Sequence, residues 1–324
     1  MTNILVVGGA GYIGSHACKA LHRAGYTPVV YDNLVYGHRD AVKWGPFEEG
    51  DILDGDRVDQ VLKQYKPACV MHFAAFAYVG ESVTDPAKYY ANNVSGSLSL
   101  LDAMRRNDVG SIIFSSTCAT YGEVSELPIS EQTPQKPVNP YGFTKLAVEH
   151  ALHDYGRAYG LKWAAMRYFN AAGCDPEGEI GERHDPETHA IPLAVLAAMG
   201  KGEFSVFGTD YDTADGTAVR DYIHVSDLAE AHVLAIDYLA KGGASAAFNL
   251  GTGRGTSVKE LLTAVGDAVG SPVPAKFAPR RAGDPPMLYA SARRARDVLG
   301  WQPRFTEIGA IVKTAADWFV RHRS

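Results

Sequence analysis

Residues 6–14 read VVGGAGYIG. Gly8, Gly11 and Gly14 stand three apart, directly after the apolar run at 4–7 and at the head of a segment, 12–24, in which Ile13, Ala17, Ala20, Leu21 and Ala24 recur at helical spacing. Gly25 follows as the expected helix stop. A glycine turn between a buried strand and a helix lets the backbone approach an anion closely, and the unpaired N–H groups at the helix start favour a pyrophosphate. The spacing differs from the G-x-G-x-x-G of ordinary dehydrogenases and points to another branch of dinucleotide-binding proteins.

Outward from the turn, short β-rich runs alternate with amphipathic helical patterns: TPVVYD, FEEGD, a helix near 54–65, ACVMHFAA, a long helix from 86 to about 107, SIIFSS, a Pro-rich loop near 127–140, a helix after it, and WAAMRYFN. That rhythm predicts an α/β chain built on a Rossmann doubly wound parallel sheet. After Asn170 the stretch AAGCDPEGEIGERHDPETH, rich in Gly, Pro, acids and His, reads as a loop leaving the first lobe. We therefore expect a nucleotide-binding domain over 1–171 and a smaller C-terminal α/β substrate-binding lobe over 172–324. A segment near 221–250, with a helix capped near Ser226 and the strand AFNL, is expected to return to the first sheet.

Composition excludes several classes of partner. The chain has 324 residues, 46 % hydrophobic and 21 % charged, with a formal charge of −6. It holds no basic run of the kind that binds nucleic acid or anionic membrane. No apolar stretch approaches the ~20 residues of a membrane span, and the N-terminus lacks the pattern of a signal peptide. Cys18, Cys69, Cys118 and Cys174 are widely spaced and read as reduced thiols, not as a zinc or disulfide framework. A cytoplasmic enzyme with a small-molecule substrate and no metal is the expectation.

Eighteen residues after Gly14 the second strand ends in Asp32, placed to bind ribose hydroxyls and repel a 2′-phosphate, which favours NAD over NADP. Asp51 and the run Phe73-Ala74-Ala75 are placed to line adenine and ribose. In NPYGFTKLAVEH, Asn139 and Pro140 open a helix on which Tyr141 and Lys145 share one face. A tyrosine normally titrates near ~10, and an adjacent ammonium together with a nicotinamide cation would favour its phenolate as a base. Ser115, Ser116 and Thr117 end a strand at the sheet edge where such folds bind ligands. Thr117 is the candidate for a hydroxyl bridging Tyr141 and a sugar oxygen.

Taken together, GGAGYIGSH, YDNL, EGDI, YYANNV, FSST, NPYG, RYFNAAG, DGTAVRDYIHV, NLGTG and APRRAGDPP make the chain, from residue 3 to about residue 301, resemble the extended short-chain dehydrogenase/reductase family. The likeness is strongest to its nucleotide-sugar 4-epimerases, which interconvert UDP-glucose and UDP-galactose. The resemblance implies retained NAD at Gly8, Gly11, Tyr12, Ile13, Gly14, Asp32, Asn33, Asp51, Ile52, Phe73, Ala74, Ala75, Asn92, Ser115, Tyr141, Lys145 and Tyr168. It implies a UDP-sugar at Thr117, Tyr141, Asn170, Phe207, Arg220, Arg281 and Asp284, and a homodimer.

The chain also departs from the family's pattern. Thr117 stands where many relatives have serine, Ala77 where some have lysine, His189 where some have an asparagine near the uracil, and Leu288 where others have tyrosine or cysteine. The implied reaction inverts C4 through a 4-keto sugar, with no net oxidation. Dehydratase and decarboxylase relatives carry acids just after the Ser-Thr strand end, where this chain has Cys118 and Ala119. Two other readings stand beside it: a UDP-xylose/UDP-arabinose 4-epimerase, and a non-catalytic NAD-sensing protein on the same fold.

Overall fold

The computed structural model describes residues 1–281 and 284–322. In chain order the first half runs β1 (Asn3–Val7), α1 (Tyr12–Arg23), β2 (Thr27–Asp32), β3 (Phe47–Glu49), α2 (Gly55–Tyr65), β4 (Cys69–His72), α3 (Val79–Thr84), α4 (Pro86–Tyr89), a π-helical stretch (Tyr90–Gly96), α5 (Ser97–Arg106), β5 (Ser111–Thr117), α6 (Pro140–Tyr159) and β6 (Lys162–Tyr168). The second half adds β7 (Asn170–Ala172), α7 (Ala190–Ala198), β8 (Phe204–Phe207), β9 (Val219–Arg220), β10 (Tyr222–His224), α8 (Val225–Ala240), β11 (Ala246–Leu250), β12 (Thr256–Ser257), α9 (Val258–Val269), β13 (Ala275–Ala278), β14 (Met287–Leu288), α10 (Arg293–Leu299) and α11 (Ile308–His322).

Seven parallel strands form the main sheet in the order β11-β6-β5-β4-β1-β2-β3. The order reverses between β1 and β4, which opens a crevice at their carboxyl ends. One face is covered by α1, α8 and α10 over a core that includes Val6, Met71, Phe248 and Trp301. The other is covered by α2, α5 and α6 over Leu5, Val70, Leu101 and Phe114. A separate cluster joins α7, α9 and α11 with β8. β11, far along the chain, pairs with β6 in the main sheet, as the return segment requires.

Local chemistry explains most of the boundaries. Gly25 takes φ +86° after α1, where a side chain would be strained. Asn139 accepts the Gly142 N–H at 2.9 Å and Pro140 stands at the first helical position, so the helix that carries Tyr141 and Lys145 starts at a fixed place. Ser257 and Glu260 close a capping box on α9. The cap of α8 differs from expectation: Ser226 lies inside the helix, and His224 Nδ1 accepts the Ser226 N–H at 3.1 Å. The His224 ring can serve because it is held by stacking on Phe305, with centroids 3.9 Å apart. The long helix expected from 86 is interrupted by the π-helical stretch, within which Asn92 Nδ2 donates to Asn93 Oδ1 at 2.9 Å.

A buried polar network ties α6 to the sheet. Arg167 Nε donates to Glu149 Oε1 at 3.0 Å and its Nη1 donates to the Tyr121 hydroxyl at 2.9 Å. Glu149 also accepts from Ser116 and Gln135, and Tyr121 donates to Asn249 of β11. Removing the cation leaves a buried carboxylate without its partner. Arg167→Met should therefore destabilise the fold by about 3–5 kcal/mol, read as a lower denaturant midpoint with an unchanged slope.

Candidate active site

The glycine turn is shaped by its neighbours and leaves one side free. Gly8 has φ +81°, and a Cβ there would meet the Ala74 nitrogen at 2.5 Å. A Cβ on Gly14 would lie 2.1 Å from the Gly8 carbonyl oxygen, so α1 can rest on the turn only without a side chain. Gly11 is different, since a Cβ there would touch only the Gly8 oxygen, at 3.4 Å. The surrounding chain does not itself demand glycine at 11, and the bare backbone there leaves the helix start open to an anion.

That turn borders an open groove. Of the residues expected at the cofactor, the structure brings Gly8, Gly11, Asp32, Asn33, Ile52, Phe73, Ala74, Ala75 and Asn92 to its wall. Tyr36 and Phe76 also line it and were not expected; no local motif marks them. Asp32 is buried, its oxygens accepting the Ala10 and Leu34 N–H groups at 2.9 and 2.8 Å. Burial raises its carboxyl above the ordinary value, and these bonds offset that only in part. Asp51 lies just outside the wall and accepts from Asn33 Nδ2 at 2.8 Å. Asn93, also not expected, accepts the Phe76 N–H and donates to the Phe76 carbonyl and to Thr144, pinning the wall to α6.

Three expected residues lie elsewhere on the turn. Gly14 packs inward, Ile13 joins the core on the α1 side of the sheet, and the Tyr12 hydroxyl donates to the Gly173 carbonyl at 2.5 Å. The Tyr12 side chain thus joins the turn to the loop that follows β7. Ala77 is exposed. Near it the Lys88 ammonium sits 4.2 Å from the centre of the Phe76 ring and pairs with Glu81.

Past the carboxyl ends of β5 and β6 a second group gathers. Lys145 is buried and its Nζ donates to the Ser115 carbonyl at 2.7 Å. The Ser115 hydroxyl meets the Tyr168 hydroxyl at 2.5 Å. The Thr117 side chain stands beside Tyr141, and its Oγ1 accepts the Ala119 N–H at 3.1 Å. Cys118 and Ala119 continue as a short 3-10 turn with no acid.

Burial pushes the Tyr141 phenol well above its ordinary value, with the Thr117 side chain lowering it only in part. Burial also pushes Lys145 down to about 7, against the partial support of Glu149. Desolvation outweighs the mutual help of the pair, so the chain by itself does not hold Tyr141 as a phenolate near neutrality.

The residues expected at the nucleotide-sugar fall into a cationic wall and two separate positions. Arg220 Nη2 donates to Asp284 at 2.5 Å, and the Arg281 guanidinium lies 3.9 Å from the centre of the Phe207 ring. Leu288 pairs with Arg220 across β14 and β9. Asn170 is exposed and donates to the Asp221 carbonyl at 3.0 Å. His189 is turned toward Glu182, with Nδ1 2.7 Å from Oε1.

A family model for the NAD dependent epimerase/dehydratase family matches residues 4–251. A UDP-glucose 4-epimerase of Rhizobium meliloti (strain 1021) is 57 % identical over 320 residues, covering 98 % of this chain and 97 % of the relative. The crystal structure of the Brucella ovis UDP-glucose 4-epimerase in complex with NAD superposes with a TM-score of 0.97 at 56 % identity, covering 98 % of each chain. A UDP-glucose-4-epimerase from Stenotrophomonas maltophila, with bound NAD and formylated UDP-arabinopyranose, gives 0.96 at 39 % identity, covering 100 % of this chain and 99 % of that one. Among the described residues no helix is long and apolar enough to cross a membrane.

Proposed function

The chain belongs to the NAD dependent epimerase/dehydratase family, and from that premise we infer that it is an NAD-dependent nucleotide-sugar 4-epimerase that interconverts UDP-glucose and UDP-galactose. The observation that carries this reading is the convergence past the end of β5 of Lys145, whose Nζ donates to the Ser115 carbonyl, with Tyr141 on the same helix and Thr117 beside it. An intact acid–base set is not what an NAD sensor needs. The absence of an acid at 118 and 119 leaves no donor there to expel a hydroxyl.

In this reading the backbone around Gly8, Gly11 and Tyr12 holds the cofactor pyrophosphate. Asp32 and Asn33 hold the adenine ribose, with Asp51, Ile52, Phe73, Ala74, Ala75 and Asn92 around it. Ser115, Tyr141, Lys145 and Tyr168 serve the nicotinamide end. When bound, NAD supplies a positively charged ring that takes up the C4 hydride and gives it back. Tyr141 takes the proton of the sugar 4-hydroxyl as the 4-keto sugar forms, and returns it to O4 once the sugar has turned its opposite face to the cofactor. Thr117 holds O4 against Tyr141 while the hexose turns over. Arg220 and Arg281 grip the diphosphate, with Asn170, Phe207, Asp284 and His189 completing the nucleotide-sugar site.

The reading extends to a cytoplasmic homodimer that serves galactose metabolism. Support for self-association comes from exposed Val79, Val83, Tyr90 and Phe143, which lie on neighbouring helical segments.

Two measurements test the substrate side. Arg220→Leu should raise KM for UDP-galactose by about 10- to 100-fold, the worth of charge-assisted hydrogen bonds, with kcat changed only a few-fold. A loss confined to kcat would remove Arg220 from the diphosphate. Side by side, UDP-galactose should outrun UDP-xylose in kcat/KM; the reverse order would favour a pentose epimerase.

A further inference from the structure

The segments DGTAVRDYIHV (215–225) and NLGTG (249–253) meet at one buried side chain, that of Asp221. We propose that Asp221 is a positioning residue for the nucleotide-sugar site, tying three segments of chain together so that Arg220, Leu288 and Asn170 hold their places along its wall. The proposal rests on the reading of that wall as the nucleotide-sugar site.

Asp221 is fully buried and lies between β9 and β10. A carboxylate taken out of water needs a cation or donors around it. Glu149 has a guanidinium, whereas the bonds to Asp221 come from neutral donors. Its Oδ1 accepts the Thr252 N–H at 2.8 Å and the Thr252 hydroxyl at 2.7 Å. Its Oδ2 accepts the Gly253 and Ala290 N–H groups, each at 3.1 Å. An amide in its place would turn an NH₂ group toward N–H donors whichever way it faced, so the position calls for a group that only accepts. The turn that supplies the donors comes very close, since a Cβ on Gly251 would lie 2.4 Å from Asp221 Oδ2.

The main chain of the same residue reaches the substrate wall. Its N–H donates to the Leu288 carbonyl at 3.0 Å, which prolongs the pairing of β9 with β14 by one residue. Its carbonyl accepts both the N–H and the Nδ2 of Asn170, each at 3.0 Å. Successive side chains along a paired strand point to opposite faces. A carboxylate locked on one face therefore fixes the direction of Arg220 on the other, where Nη2 meets Asp284 at 2.5 Å.

Asp221→Asn should raise KM for UDP-galactose by about 10- to 100-fold, the worth of buried donors left without an acceptor, while kcat and the content of bound NAD stay within a few-fold of the wild-type chain. The Kd of UDP, a probe without a hexose, should rise alongside when measured by calorimetry. Thr252→Val removes only the hydroxyl donor and should raise both constants by about 3- to 10-fold. Thr252→Ser keeps the hydroxyl and should keep the wild-type values. If Asp221→Asn does not fold, the Thr252 pair carries the test. A role in folding alone would lower Tm with KM and Kd unmoved, or would lower kcat and NAD content as much as UDP affinity; either result would overturn the proposal. Wild-type KM and Kd in the variants of a chain that interconverts the two sugars would strike the proposal alone. A wild-type chain that neither binds UDP nor turns over UDP-galactose would strike the nucleotide-sugar reading, and the proposal with it.

Discussion

Tyr141→Phe should lower kcat by about 10²- to 10⁴-fold, the usual worth of a positioned acid–base group, with KM for UDP-galactose and the content of bound NAD nearly unchanged. The substitution removes one oxygen from a side chain whose ring lies beside Lys145 Nζ, 6.0 Å from the ring centre. Phe keeps the packing, so loss of fold is not expected to contribute. The contrast with Arg220→Leu is the informative part. One variant should act on the chemical step and the other on substrate binding, because Tyr141 lies past the end of β5 while Arg220 lies on β9. Steady-state kinetics with UDP-galactose, together with spectroscopic measurement of bound nicotinamide, separate the two. Unaltered kcat in Tyr141→Phe would remove the phenol from the reaction.

The second large effect is acid lability. His16, His72, His224 and His232 are at most 3 % exposed, and burial lowers them to about 4, 3, 3 and 4 respectively. Each therefore stays neutral in the folded chain over a range where the unfolded chain, with histidine near ~6.5, takes up a proton. Their contribution to stability is present in full above that value and is lost as pH falls toward the folded values. Each group contributes a slope of about 1.4 kcal/mol per pH unit. Four together approach about 5 kcal/mol per unit, against a total stability of about 5–15 kcal/mol for ordinary domains. Urea unfolding should show a sharp loss between pH 6.5 and 5. His72→Gln, whose amide can still bond Ser97, should flatten that slope by about a quarter. A midpoint indifferent to pH over this interval would show that these rings accept protons while folded.

What could be read from the sequence was local in the chain. The glycine turn, Asp32 at the end of a strand, and the Tyr141–Lys145 pair on a capped helix depend on residues within a few positions of one another. Backbone geometry enforces those relations wherever they occur. The return of β11 to the main sheet was legible for a similar reason, because AAFNL is a buried strand following a helix that packs on α1. Other features depend on contacts across the chain. Arg220 meets Asp284 and Tyr12 meets Gly173 across 64 and 161 residues, and no periodicity announces either bond.

The His224 cap and the π-helical stretch were missed because histidine is not a common N-cap and a π segment preserves the apolar pattern of the helix around it. The depth at which Tyr141 and Lys145 are buried was not legible for a different reason. Spacing shows that two groups are close, but only the fold shows how far both are removed from water. The stretch ERHDPETH reads as a polar loop, and only its folding brings Glu182 and Glu187 against His184 and His189.

The most direct measurement incubates the purified chain with UDP-galactose, and separately with UDP-glucose, with no NAD added, while both sugars and the reduced-nicotinamide absorbance are followed. Convergence of the two incubations on one mixture of UDP-glucose and UDP-galactose, with no build-up of reduced nicotinamide, is the expected result. A chain that holds NAD yet leaves both sugars unchanged, or that releases an oxidised sugar with one reduced nicotinamide for each, would contradict a 4-epimerase that takes a hydride and gives it back.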